Sequence, residues 1–171
     1  EDPCYKLKAI KNSVELRGAR NANLRDGVSL TKFLYWLKQE ININKVSEII
    51  AAKKLLKLRK NNKYFFSLSF DTISAFGSHA ALPHYRVTKN SNSLFNNNDI
   101  YLVDSGSQYF DGTTDITRTI ILGNSTHEQK DRFTRVLKGH IALAQLKFNN
   151  RTRGSEIDYV ARQSLKEIGC D

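Results

Sequence analysis

The sequence predicts an α+β domain, a largely antiparallel sheet with flanking helices. Three observations lead there. Segments with helical periodicity occupy both ends of the chain, short β-rich runs occupy its middle, and neither an internal repeat nor a domain linker interrupts them. The 171 residues are enough for one core and too few for two large ones. A composition 40% hydrophobic and 10% aromatic is that of a globular chain rather than a disordered one.

Taken in order, residues 12–39 ("NSVELRGARNANLRDGVSLTKFLYWLKQ") read as a long amphipathic helix. Val14, Ala22, Val28, Phe33 and Leu37 fall near one stripe, and Glu15 follows Asn12 at the spacing of a capping box. A second helix is expected over 46–60. Residues 64–76 ("YFFSLSFDTISAF") are β-rich, and 82–87 ("LPHYRV") form another strand candidate. The asparagine- and serine-rich stretch 89–98 reads as a loop. Two strands follow, over 99–105 and 113–122. Thr126 and Gln129 are spaced as a capping box that opens a helix running to about 148. Ser155 and Asp158 repeat that spacing at the start of the last helix, which Gly169 ends.

Several classes are excluded or demoted. No apolar run approaches the roughly 18 residues needed to span a membrane, and no charged-then-apolar start resembles a signal peptide. A soluble, cytoplasmic protein is the expectation. Cys4 and Cys170 are the two cysteines, near opposite ends, which is neither a zinc spacing nor a disulfide framework. The sequons at Asn124 and Asn150 are weak signals without a secretory context. The formal charge of +10 raises nucleic acid as a partner. Much of that excess lies in "AAKKLLKLRKNNK", residues 51–63, where lysines alternate with leucines at helical spacing. A solvated helix face accounts for it, and no base-stacking aromatic motif accompanies it. The chain has no methionine and is read as an excerpt of a longer protein.

The most informative stretch is "DSGSQYFDGTTDITRT", residues 104–119, which places three aspartates between apolar, strand-like runs. With 99–105 and 113–122 as hairpin arms, Gly106 and the Asp111–Gly112 pair fall in or near the turn. Asp111 is then a turn residue. Asp104 and Asp115, eleven residues apart, become cross-strand partners on one face, with Cβ atoms about 4.5–5.5 Å apart. Two like charges so placed are destabilising, and a shared proton, a basic side chain or a cation must compensate. Hard divalent ions take carboxylate oxygens, and two facing aspartates are half of such a site.

These residues resemble the metal-binding hairpin of the Xaa-Pro aminopeptidases (aminopeptidase P), metallopeptidases with the pita-bread fold. The resemblance rests on "YLVDSGSQYFDGTTDITRT", and extends to "NSVELRGARNANLRDGVSLTKFLYWL", "SLSFDTISAFG…HY" and "FTRVLKGHIALAQLKF". It implies that residues 1–171 are a partial catalytic domain, truncated at both ends relative to the family. By resemblance, Asp104 matches an aspartate that chelates one metal, and Asp115 matches one that bridges both ions of a dinuclear site. That site usually holds Mn2+, with Zn2+ or Co2+ as alternatives. His84 matches a histidine that hydrogen-bonds substrate and steadies the tetrahedral intermediate; the plainer reading is a core-facing strand histidine. Phe70 falls where the family lines its substrate cleft with an aromatic, or else simply packs the core. Arg118 and the threonines at 113, 114 and 117 would orient the carboxylates. His79, His127 and His140 match no ligand. Where the family has a "GPNGA"-like turn, this chain has "GSHAA" at 77–81, which puts the local loop shape in question.

The family uses five metal ligands, and the other three, a histidine in an "HGTGHG"-like motif and two glutamates, have no counterpart here. The resemblance therefore implies an enzyme that releases the amino-terminal residue ahead of proline, with peptide substrates, homodimers as the common assembly and no membrane partner. It also implies that residues 1–171 alone are inactive. The rival is a pita-bread module that has lost its metals and binds protein or nucleic acid. Retention of both Asp104 and Asp115 favours the enzyme.

Overall fold

The computed structural model describes residues 2–170. These form two compact units, one running to Asn124 and the other from Ser125.

The first unit opens with a short helix, α1 (Pro3–Ala9), whose Asp2 side chain accepts from the Cys4 amide at 2.9 Å and whose Pro3 sits in the first turn, where no amide is needed. Helix α2 (Ser13–Glu40) begins with the capping box Asn12–Glu15. Its buried line is Gly18, Ala22, Asp26, Ser29, Leu30, Phe33 and Leu37. The expected stripe is therefore corrected at two places. Val14 and Val28 are exposed, and the line runs instead through Asp26, a residue that hydrophobic periodicity cannot register. Helix α3 (Glu48–Lys60) buries Glu48, Ala51, Leu55 and Arg59. Lys53, Lys57 and Lys60 stay exposed, which is the solvated face expected of the lysine-rich stretch.

The β-rich segment divides into β1 (Phe65–Leu68) and β2 (Ile73–Phe76), followed by a 3-10 turn at Gly77–Ala81. Residues 82–87 do not form the expected strand. Leu82 accepts from the Tyr85 amide at 3.2 Å, and His84 has φ +55, a left-handed conformation incompatible with an extended ladder. After the loop come β3 (Asp99–Ser105), β4 (Ser107–Tyr109), β5 (Gly112–Thr113) and β6 (Ile116–Leu122). They make two antiparallel three-stranded sheets, ordered β1-β4-β5 and β2-β3-β6.

Strand β3 alternates strictly: Tyr101, Val103 and Ser105 are buried while Leu102 and Asp104 are less so. Its buried face joins Leu30, Phe33 and Leu37 of α2 and Ala51 and Leu55 of α3 in one core with Val46, Phe76 and Leu122. Each of the larger side chains contributes about 1.5–3 kcal/mol by leaving water. Polar Asp104 occupies the opposite face by the same alternation.

The second unit is a helix pair, α4 (His127–Gln145) and α5 (Gly154–Lys166). Thr126 and Gln129 form the expected capping box on α4. On α5 the N-cap is Arg153 rather than Ser155, with the Glu156 carboxylate accepting from the Arg153 amide at 2.7 Å, because the helix starts two residues earlier than the serine suggested. Gly169, at φ +71, lets the Cys170 amide reach the Leu165 carbonyl at 3.0 Å and closes the helix. No helix among the described residues is long and apolar enough to cross a membrane.

Candidate metal centre

The hairpin that carries the aspartates turns at Phe110–Asp111, between the paired residues Tyr109 and Gly112. Asp111 is a turn residue as expected, and it forms an ion pair with Arg25 of α2. That turn fixes the register of everything before it. Asp104 consequently pairs with Thr117 on β6 and, on its other side, with Ile73 on β2. The expected direct pairing of Asp104 with Asp115 is corrected: the turn sits one residue later than that pairing requires. Asp115 lies just before β6, two residues from Thr117, and is a diagonal neighbour of Asp104. Diagonal positions lie about 7–8 Å apart, a looser spacing than directly opposed carboxylates.

Both carboxylates line one cleft of about 350 Å³, together with Phe70, Asp71, Ile73, His84 and Arg86. Three different segments build it. The β1–β2 loop brings Phe70 and Asp71, the turn after the 3-10 segment brings His84 and Arg86, and the hairpin brings Asp104 and Asp115. Arg86 joins two of these segments by donating from Nη1 to Asp71 Oδ2 at 3.1 Å. Phe70 is partly buried at the cleft wall and is absent from the core cluster; His84 is exposed, so neither of the core-packing readings describes its position.

The His84 turn is anchored by its neighbour. Tyr85 points inward, and its hydroxyl donates to Glu48 Oε2 at 3.1 Å. Glu48, fully buried, also accepts from the amides of Phe76 and Ser93 at 2.8 and 2.9 Å. His79 Nδ1 lies 2.9 Å from Glu48 Oε1, so His79 is structural. Burial, with the adjacent Glu48 carboxylate, pushes the Tyr85 phenol above its ordinary pKa and keeps it a donor. The "GSHAA" segment thus takes a 3-10 form that ties back to α3.

Asp104 Oδ1 is buried and has no hydrogen-bond partner. An ionised carboxylate oxygen left in that state is costly, and a cation satisfies it as well as a donor would. Two oxygen donors on one concave surface suit a hard divalent ion. Among the described residues no group of three histidine, cysteine or acidic side chains stands ready to hold one.

The expected orienting residues divide. Arg118 pairs with Val103, so it leaves the sheet on the face opposite Asp104; it donates to the Thr117 carbonyl and does not touch either carboxylate. Thr114 is buried and donates to Asp26, and Thr113 donates to Gln108. Thr117 alone sits across from Asp104 on its own face. His127 and His140 are exposed on α4. Cys4 and Cys170 are both free thiols. Sequence reasoning missed the buried charges Asp26, Glu48 and Arg59, which resemble ordinary solvated helix residues until their partners are known.

Residues 17–171 match the model of metallopeptidase family M24. The chain is 47% identical over 171 residues to a "Probable Xaa-Pro aminopeptidase P" of Podospora anserina, covering 99% of this chain and 25% of that protein. It is 42% identical over 170 residues to the Xaa-Pro aminopeptidase ApepP of Drosophila melanogaster, with 99% and 28% covered. Among solved structures, the X-prolyl aminopeptidase of Caenorhabditis elegans, described as a cytosolic enzyme with a di-nuclear active site, superposes with a TM-score of 0.89 at 44% identity, covering 96% of this chain and 27% of that one. The prolidase of Pyrococcus furiosus gives a TM-score of 0.81 at 27% identity over 98% of this chain and 47% of its own. The chain thus spans about a quarter of the length of the curated relatives it matches. Its α+β architecture is the pita-bread fold of these enzymes. By sequence and by fold, this chain belongs to metallopeptidase family M24.

Proposed function

We propose that the protein containing this chain is a metallo-aminopeptidase that releases the residue preceding proline at a peptide's amino terminus. Residues 1–171 are then the amino-terminal part of its catalytic domain. One observation carries the reading: Asp104, with a buried oxygen that no donor satisfies, shares a cleft with Asp115, His84 and Phe70. A metal-free binding module has no use for an orphaned carboxylate oxygen on a residue that lines a cleft.

Asp104 and Asp115 are the two carboxylates that this chain contributes to a pair of divalent ions, Mn2+ first and Zn2+ or Co2+ as alternatives. The chemistry supplied by such ions, when bound, is polarisation of the scissile carbonyl and activation of water near neutral pH. His84 projects from a left-handed turn into the cleft, where its ring can hydrogen-bond the substrate peptide. Phe70 supplies an apolar wall for the substrate, and the Arg86–Asp71 pair holds the two loops that carry Phe70 and His84. A cytoplasmic location and a homodimer complete the proposal; the description of the Caenorhabditis elegans enzyme as cytosolic supports the first.

The test is release of the first residue from a short X-Pro peptide by the complete protein with added Mn2+, against a control peptide with alanine in place of proline. Selective cleavage of the proline peptide is expected. Equal cleavage of both would move the reading to a broader aminopeptidase, and cleavage of neither would reject it.

A further inference from the structure

Behind the cleft, on the face of the hairpin opposite Asp104, lies a buried ion pair. Arg59 of α3 donates from Nε and Nη2 to Asp26 of α2 at 2.8 and 2.7 Å, and both side chains are fully excluded from solvent. Asp26 accepts two further bonds, from the Tyr109 hydroxyl at 2.8 Å and from Thr114 Oγ1 at 2.9 Å. Arg59 Nη2 also approaches the Ser105 carbonyl at 3.4 Å. Thr114 and Ser105 are the residues next to Asp115 and Asp104. Because successive strand residues point to opposite faces, a grip on 105 and 114 from behind sets 104 and 115 in front.

This part of the hairpin lies outside both ladders and keeps two backbone bonds, from the Thr114 amide to the Ser107 carbonyl at 2.9 Å and from the Ser69 amide to the Gly106 carbonyl at 3.1 Å. The β3–β6 ladder ends at Ser105 with Ile116, and the β4–β5 ladder begins at Gln108 with Thr113. Gly106, Thr114 and Asp115 lie in the interval between them. There the strands approach so closely that a Cβ at position 106 would stand 2.0 Å from the Thr114 carbonyl oxygen. Side chains add to the hold on Thr114: its Oγ1 accepts from the Ser107 amide at 3.0 Å while donating to Asp26, and its carbonyl accepts from Ser69 Oγ at 3.1 Å. A buried ion pair is a poor device for stability alone, since apolar residues of similar volume commonly do as well or better.

We propose that Asp26 and Arg59 are positioning residues for the metal centre, acting through Thr114 and Ser105 to set the spacing of Asp115 and Asp104. The inference rests on the reading of those two aspartates as metal ligands. Its test is Mn2+ titration of the complete protein, with free Mn2+ followed by electron paramagnetic resonance and the metal-free unfolding midpoint measured in parallel. Thr114→Val removes the link to Asp26, and Thr114→Ser keeps it. The double variant Asp26→Leu/Arg59→Met replaces the pair by apolar bulk.

Thr114→Val is expected to weaken Mn2+ binding by about 10–100-fold, with Thr114→Ser near wild type. The double variant is expected to fold, its midpoint set by the apolar gain against the Tyr109 and Thr114 hydroxyls left without Asp26, and yet to lose Mn2+ affinity to a similar degree. Should it fail to fold, the two Thr114 variants decide alone. Wild-type affinity in folded Thr114→Val overturns the positioning role while leaving the metal reading intact. Absence of Mn2+ uptake by the wild-type protein, or uptake indifferent to Asp104→Asn and Asp115→Asn, overturns the metal reading itself.

Discussion

Asp104 and Asp115 were legible as a pair because each interrupts or flanks a run of β-formers, where a carboxylate has no business unless something compensates it. Their exact relation was not legible, because one residue of uncertainty in the turn moves every cross-strand partner. The structure gives a diagonal rather than an opposed pair. Arg118 needs no register to place: it stands three residues from Asp115, and alternation along the strand alone puts the two on opposite faces. His84 was read from its neighbours as a strand residue, whereas its left-handed turn makes it a projecting side chain. Two expectations belong at this scale. In the complete protein, Asp104→Asn should weaken divalent-ion binding by at least about tenfold, since it alters the carboxylate proposed as a ligand, whose buried Oδ1 no protein donor satisfies; isothermal titration with Mn2+ reads this. His84→Ala should lower kcat far more than it loosens metal, because the place proposed for the ring is beside substrate. Loss of metal with normal turnover per bound ion would contradict that role.

The elements themselves were largely visible in the sequence. Both α2 and α4 begin at the capping boxes that Asn12–Glu15 and Thr126–Gln129 announce. Their polar interior was hidden, because Asp26, Glu48 and Arg59 differ from surface charges only through partners distant in sequence. That layer makes two measurable demands. Arg59→Ala leaves the buried Asp26 without its counter-ion and should destabilise the first unit by about 3–5 kcal/mol, read by urea unfolding. Tyr109 gives a pH signature. Burial and the bond to Asp26 push its phenol up to about 12, above its ordinary value near 10. A group whose folded pKa is raised gives its full stabilisation below the unfolded value and loses it as pH rises through the folded one. Urea midpoints should therefore fall between about pH 10 and 12, and Tyr109→Phe should flatten that decline.

At the scale of the whole molecule, composition and charge said less than the motif. The +10 charge is carried in part by exposed lysines on α3, and it names no partner. The fold class was legible because helical and strand periodicities occupy separate stretches of chain; the strand expected at 82–87 was not, since β-branched and aromatic residues there serve a turn whose tyrosine is buried. Residues 1–171 alone should show no X-Pro cleavage above background and only weak Mn2+ uptake, because among the described residues two carboxylates stand without a third acidic, histidine or cysteine ligand. Peptide release measured at saturating Mn2+ checks this, and robust turnover would show that the ligand set is complete within these residues. On the proposed reading, Asp104 and Asp115 hold the catalytic ions. Anomalous diffraction at the manganese edge, from crystals of the complete protein grown with Mn2+, tests it most directly. Two anomalous peaks are expected in the cleft, with a carboxylate oxygen of each aspartate within about 2.0–2.6 Å of an ion and Asp115 shared between the two; crystals with full Mn2+ occupancy elsewhere and no peak at Asp104 and Asp115 would contradict that reading.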